Sequence, residues 1–199
     1  YIVKTIVTTE TIKTIAERNG VEMYDVYTGF KWIANVMREN EGKKNYIGGG
    51  EESYGFLCED FVRDKDAVSA CVILAEIAAW AKDQGLSLYQ LLQKIYVEYG
   101  FSKEKGISVV KKGKSGAEEI EAMMKKFREN PLTEIAGSKV TYFYDYSTLK
   151  GKDYAENETV TLDMPTTSNV LQYFTEDNTK VSIRPSGTEP KIKFYCEVH

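Results

Sequence analysis

In the first hundred residues β-branched runs and amphipathic helical patterns alternate, and nothing constrains the fold of this chain more than that alternation. The run Ile2, Val3, Thr5, Ile6, Val7, Thr8 reads as a strand, followed by a helix with Ile12, Ile15 and Ala16 on one face and a stop at Gly20. Val21 to Val26 reads as a second strand, and Thr28 as the cap of a helix carrying Phe30, Ile33, Ala34, Val36 and Met37. Tyr46 and Ile47 form a third strand signal, leading into a flexible loop of Gly48 to Gly50. Two long helices follow. One runs from about Lys65 to Asp83 and closes at Gly85, and the other opens on a capping box of Ser87 and Gln90, with Leu88, Leu91, Leu92, Ile95 and Tyr99 inward. The pattern predicts an open, mostly parallel three-layer α/β domain over residues 1–103.

After Gly100 the grammar changes. A strand at Ile107 to Val110 and a helix from about Gly116 to Asn130, ended by Pro131, precede a series of strand signals at Lys139–Tyr146, Thr159–Leu162, Val170–Phe174, Lys180–Arg184 and Ile192–Val198. Asp177 and Asn178 supply a hairpin turn. Residues 104–199 therefore read as a smaller α+β domain with an antiparallel sheet and a helix, and the fold class is α/β followed by α+β. A chain that starts on Tyr1 rather than Met and ends on a strand is expected to be a piece of a longer polypeptide.

With 26 basic and 30 acidic side chains the net charge is -4, which argues against nucleic acid or an anionic membrane surface as partner. The longest apolar stretch, Val72 to Trp80, is broken by Glu76, so no membrane span is expected and the protein should be soluble. Cys58, Cys71 and Cys196 fit no zinc or disulfide spacing and suit a reducing cytoplasm; Cys71 and Cys196 read as small buried hydrophobes. The single histidine, His199, is the last residue, which excludes a histidine-dependent triad within this chain.

Three loops carry polar chemistry. Gly113, Lys114 and Ser115 suggest a phosphate loop, but that motif needs glycine where Ser108 stands; Ser115 and Glu118 instead read as a capping box. Gly48 to Gly50 with Glu51, Glu52, Ser53, Tyr54 and Gly55 puts carboxylates and a hydroxyl directly after a parallel strand, where ligands of such sheets sit. That is either a reader of sugar hydroxyls or a solvated acidic turn. The run Arg184, Pro185, Ser186, Gly187, Thr188, Glu189, Pro190, Lys191, Ile192, Lys193 combines a guanidinium fork, hydroxyls and a glycine open to close approach, a set that suits a phosphate and that the alternative, a plain hairpin turn, would not need.

Taken in order, and with Thr28–Gly29–Phe30–Lys31–Trp32 and Arg63–Asp64–Lys65–Asp66, these loops resemble the phosphoglucomutase/phosphomannomutase members of the α-D-phosphohexomutase superfamily over essentially the whole chain. The resemblance implies most of the third and all of the fourth domain of a four-domain isomerase that exchanges hexose 1-phosphate and 6-phosphate through a phosphoserine and a hexose 1,6-bisphosphate. Glucose or mannose phosphates would be its substrates. It implies sugar contacts from Glu51 and Ser53 with Gly50, Thr28, Gly29 and Lys31, and a grip on the non-reacting phosphate from Arg184, Ser186, Gly187, Thr188 and Lys193. Lys65 would act near the reacting oxygen as acid/base or electrostatic group. Lys193 stands where many relatives have arginine. The phosphoserine loop and the Mg2+ loop belong to the missing N-terminal domains, and Asp64 and Asp66, followed by Val68, do not make a metal site, so the segment alone is expected to be inactive. The alternatives are a non-catalytic sugar-phosphate binding module and a mutase for another hexose phosphate, such as N-acetylglucosamine phosphate.

Overall fold

The computed structural model describes residues 1–111, 113–187 and 189–199, without the side chain of residue 114. The chain divides into two compact units, Tyr1–Ser102 and Lys103–His199.

The first unit runs β1 (Ile2–Thr5), α1 (Thr11–Arg18), β2 (Met23–Val26), α2 (Phe30–Asn40), β3 (Gly48–Gly50), β4 (Phe56–Cys58), α3 (Ala67–Asp83) and α4 (Leu88–Tyr99). The sheet order is β2-β1-β3-β4, with β2, β1 and β3 parallel and β4 antiparallel at the edge. The chain steps from β1 to β2 in one direction and from β2 past β1 to β3 in the other. Right-handed crossovers then place α1 and α2 on opposite faces. Phe30, Ile33 and Met37 of α2 fall at helical spacing and close one face with Val3, Val26, Tyr46 and Leu57. Lys4, on the opposite side of β1 from Val3, is buried with Asp25 at 2.7 Å and Glu10 at 3.1 Å. Burial alone pulls its pKa down, but the two carboxylates outweigh that and the net shift is upward.

Several sequence expectations are corrected here. The three glycines are not a flexible loop but β3 itself. A Cβ on Gly49 would sit 2.6 Å from the Val3 carbonyl and 2.6 Å from the Tyr46 hydroxyl, so glycine is required by close packing. Thr28 does not cap α2: the N-cap is Gly29, at φ 119°, and makes no side-chain cap bond. Asp66, not Lys65, opens α3, accepting from the Ser69 N–H at 2.8 Å. The first strand stops at Thr5. Cys71 is exposed and Cys196 half-buried. The Ser87–Gln90 capping box is present in both directions.

The second unit runs β5 (Lys103–Val110), α5 (Gly113–Glu129), β6 (Glu134–Ile135), β7 (Ser138–Asp145), β8 (Lys150–Asp153), β9 (Glu158–Thr161), β10 (Leu171–Thr175), β11 (Lys180–Pro185) and β12 (Lys191–Val198). Its antiparallel sheet has the order β5-β12-β11-β10-β7-β8-β9, and β6 pairs with β7. Ile120 and Met124 of α5 pack on Val140, Phe143, Leu171, Tyr173, Ile183 and Ile192. Asn178, at φ 63°, makes the β10–β11 turn with Asp177. Ser115 lies inside α5 rather than ahead of it, so it is no N-cap. β4, β6 and β8 are strands the sequence pattern did not disclose.

Candidate functional site

In the first unit, the polar residues gather at the end of the sheet where β1 and β3 finish, between strands whose connections leave in opposite directions. Glu51 follows β3 directly, and its Oε1 accepts the Gly29 N–H at 2.7 Å while its own N–H donates to the Gly55 carbonyl at 2.7 Å. The Gly29 N–H is a free donor at the start of α2, and the carboxylate satisfies it and sits well in the helix dipole. Next to it, the Thr28 hydroxyl is buried without a hydrogen-bond partner among the described residues. Glu52 accepts from the buried Thr5 hydroxyl at 3.1 Å and from Ser53 Oγ at 3.2 Å, so the first strand reaches Ser53 through one carboxylate. Glu52 is legible in the sequence as one of the loop carboxylates, but its pairing with Thr5 is not, because the partners lie 47 residues apart.

Lys31 and Lys65, distant in sequence, line one open cleft of about 540 Å3 with Phe30, Asn35, Arg38 and Arg63. The Lys65 ammonium stands 3.2 Å from Asp64 and 5.9 Å from the centre of the Phe30 ring, and Lys31 lies 5.0 Å from the Trp32 ring. Asp64 is held below the usual carboxylate range by the Lys65 N–H and ammonium, and Asp66 by the Ser69 N–H it caps. Both carboxylates are therefore already committed. Gly50, Glu51 and Ser53 are outside the residues lining this cleft, and of the three Glu51 meets the α2 end, through Gly29.

In the second unit, Arg184 and Lys193 are direct partners across β11 and β12, with side chains on the face away from α5. Two cations directly opposite each other destabilise a sheet unless an anion lies between them. The Arg184 Nε–H is buried and finds no acceptor among the described residues, while Nη2 donates to the Tyr195 hydroxyl at 3.5 Å. An unsatisfied buried donor on a guanidinium beside a second cation is an arrangement chemically suited to an anion. Tyr195 shares this face two residues after Lys193, whose ammonium is 5.9 Å from its ring. The period of two from Lys193 to Tyr195 is the signal in the sequence that places both on one face.

Backbone bonds shape the loop between these strands: Ser186 N to Lys191 O at 2.8 Å, Lys191 N to Glu189 O at 2.7 Å, and Lys111 N to Pro190 O at 2.8 Å. The Ser186 hydroxyl accepts the Glu189 N–H at 3.3 Å, and among the described residues a Cβ on Gly187 would meet nothing within 4 Å, which suits that backbone to close approach. Glu189 is ion-paired with Lys191, and that pairing, with Lys193 contributing further out, lowers its pKa. Thr188 lies outside the described residues.

The sequence agrees with this geometry. Residues 1–99 match the family model for phosphoglucomutase/phosphomannomutase alpha/beta/alpha domain III, and residues 107–199 match the one for the C-terminal domain. The chain is 36% identical over 198 residues to a phosphoglucomutase of Staphylococcus haemolyticus, covering 100% of this chain and 36% of that protein. It is 40% identical over 197 residues to the phosphoglucomutase of Staphylococcus aureus strain MRSA252, covering 99% and 35%. It thus spans about a third of the length of these relatives. The open form of pp63/parafusin, a Paramecium phosphoglucomutase, superposes at TM-score 0.65 and 18% identity over 99% of this chain and 32% of that one, a likeness of fold. The chain belongs to the phosphoglucomutase/phosphomannomutase family, as its domain III followed by its C-terminal domain.

Proposed function

We propose that these residues are the substrate-gripping part of a hexose phosphate mutase. The observation that carries the reading is the Arg184–Lys193 pair with its unsatisfied Nε–H. The pair holds the phosphate that is not transferred, with the open backbone at Gly187 adding N–H donors. Glu51 and Ser53 accept and donate to ring hydroxyls, with the Gly29 bond fixing the Glu51 carboxylate and the Thr28 hydroxyl left to contact the sugar. Lys65 stands beside the oxygen that gains or loses the phosphoryl group, where an ammonium stabilises developing negative charge.

In the reaction, a phosphoserine supplied by the rest of the polypeptide gives its phosphoryl group to the free hydroxyl of the sugar phosphate, forming a bisphosphate. The other phosphate then returns to the serine, leaving the isomer. The first unit would contribute contacts to the sugar and the second a grip on a phosphate, and such positioning is much of what phosphoryl transfer asks of a protein. Mg2+ would neutralise phosphate charge in the whole enzyme. Among the described residues no cluster of three or more His, Cys, Asp or Glu side chains fits it, and Asp64 and Asp66 are committed to Lys65 and to the α3 cap.

The test is a titration of the 199-residue chain with glucose 6-phosphate and with inorganic phosphate at fixed ionic strength, followed by amide resonances. Ser186, Gly187 and Glu189 are expected to shift with both, and Gly29 and Ser53 with the sugar phosphate alone. Shifts scattered over the surface lysines, with Ser186 to Glu189 unmoved, would overturn the assignment.

A further inference from the structure

The turn between β3 and β4 carries an aromatic side chain that the fold does not use. The Glu51 N–H donates to the Gly55 carbonyl at 2.7 Å and Gly50 faces Phe56 across the two strands, so residues 51–55 form one tight hairpin turn. Where such a turn needs a left-handed residue, glycine or asparagine is the ordinary occupant. Gly55 stands in this turn and does not take that conformation. Tyr54 takes it instead, at φ 64°. For a bulky residue that backbone is strained.

Packing can offset strain of that kind. Leu149, at φ 54° in the second unit, half-buries its side chain. Tyr54 buries nothing: at 103% it is the most exposed large hydrophobic side chain among the described residues. Two separate costs, a left-handed backbone and a fully solvated ring, therefore fall on a residue that gives the unit no contact in return. Such an outlier points to a role outside the fold.

Its neighbours indicate which role. Tyr54 directly follows Ser53 in the turn that begins at Glu51, so the residues proposed to read hydroxyls and this ring belong to the same five-residue turn. Glu51 is held by the Gly29 N–H, and Ser53 donates to Glu52, whereas the Tyr54 ring is packed on nothing. A pyranose offers two kinds of surface. Its hydroxyls point mostly outward around the edge, where a carboxylate and a serine pair with them, and its C–H bonds line the two faces, apolar and slightly positive. An aromatic face, apolar and negative at its centre, matches the second surface as the polar pair matches the first. We propose that Tyr54 sets the preference for a ring-form sugar by stacking on the C–H face of the hexose whose hydroxyls Glu51 and Ser53 hold, an inference that rests on the sugar-binding reading of this turn. An acyclic polyol phosphate brings similar hydroxyls and the same phosphate but no flat face, and gains nothing from the ring.

The experiment titrates the 199-residue chain, as wild type, Tyr54→Gly and Tyr54→Phe, with glucose 6-phosphate, glucitol 6-phosphate and inorganic phosphate in a calorimeter. Tyr54→Gly is expected to weaken glucose 6-phosphate by about three- to tenfold, the range of one aromatic contact, and to leave the other two ligands unchanged. Tyr54→Phe keeps the ring and is expected to bind all three as wild type does. Ring-current shifts of the sugar C–H protons should appear with wild type and Tyr54→Phe and vanish with Tyr54→Gly, which a merely structural role would not produce. Glycine accepts the left-handed backbone, so the melting midpoint of Tyr54→Gly is expected to hold or rise. A midpoint lowered by more than about 3 °C shows that the ring supports the fold and overturns the proposal. Unchanged glucose 6-phosphate binding in Tyr54→Gly, an equal loss for the glucose and glucitol phosphates, or a loss in Tyr54→Phe as large as in Tyr54→Gly overturns it too. In each of these cases glucose 6-phosphate still shifts the Gly29 and Ser53 amides of wild type, so the sugar-binding reading stands; wild type in which those amides do not move overturns both.

Discussion

The Gly29 N–H donates to Glu51 Oε1 at 2.7 Å, tying the turn ahead of α2 to the turn after β3. Glu51 is therefore both a ligand candidate and the bolt that holds its own surroundings. Glu51→Gln keeps an acceptor for Gly29 while removing the charge, whereas Glu51→Ala removes both. In the whole enzyme Glu51→Gln is expected to weaken glucose and mannose phosphates alike, because the hydroxyls it would contact are common to both. In the 199-residue chain only Glu51→Ala should shift the Gly29 amide strongly. Selective loss of the mannose reaction, or a Gly29 amide unmoved by Glu51→Ala, would contradict this pairing.

Gly55→Ala probes the same carboxylate without deleting it. A Cβ at residue 55 would lie 2.7 Å from Glu51 Oε2, the far end of a flexible side chain, so the side chain moves and the fold stays. The melting midpoint should change little while sugar phosphate binding falls. Gly49→Ala should do the reverse, since its Cβ meets backbone at 2.6 Å and the cost falls on the sheet.

Thr5 acts on Ser53 through Glu52. Thr5→Val keeps the buried shape and removes the donor, leaving Thr8 Oγ1 and Glu52 Oε2 each without a partner they now have. The expected cost is about 1 to 2 kcal/mol of stability. A merely structural role would stop there. A positioning role also weakens sugar phosphate binding while leaving inorganic phosphate binding intact, and isothermal titration with the two ligands separates the cases.

Local rules were legible and contacts at long range were not. The Ser87–Gln90 box and the stop at Gly20 lie within a few residues and read correctly. The alternation of elements gave the order of strands and helices because each pattern reports its own buried face. The three glycines misled because a strand interior crowded by Val3 and Tyr46 asks for the same residue as a flexible loop. Thr28 looked like a cap because its type and position fit one, yet Gly29 takes that place and leaves the hydroxyl for another partner. Of the two cradles, Arg184 and Lys193 stood out by residue type, but only register shows them face to face.

Asp177 gives a pH dependence with a defined sign. The Thr175 hydroxyl first, then the Thr179 N–H, hold its carboxyl down at about 2 from an ordinary 3.8. The folded chain thus binds this proton less readily than the unfolded chain, so the contribution is fully present above about pH 4 and is lost as pH falls towards 2. Asp177→Asn should reduce stability at neutral pH and flatten the stability profile between pH 4 and 2. An unchanged acid profile in urea titrations at several pH values would show that the β10–β11 turn does not depend on the charge.

Lys193→Ala should act in opposite directions with and without anion. Without phosphate, two cations face each other across β11 and β12, so Lys193→Ala relieves repulsion and is expected to leave stability unchanged or slightly raised. With phosphate the same variant loses a charge-assisted contact and with it the stabilisation that ligand binding confers. Arg184→Ala should weaken phosphate by about ten- to a hundredfold, in line with roughly 1.5 to 3 kcal/mol for a hydrogen bond to a charged group. Arg184→Lys should recover only part, since an ammonium keeps the charge but not the planar fork that presents the buried Nε–H. Lys193→Arg, adding a second fork, should tighten binding. Thermal melts with and without phosphate at constant ionic strength read all four variants together, with ionic strength held because screening alone weakens exposed charge pairs. Equal behaviour of Arg184→Lys and wild type, or a loss of affinity with Lys193→Ala but none with Arg184→Ala, would move the anion site away from this strand pair.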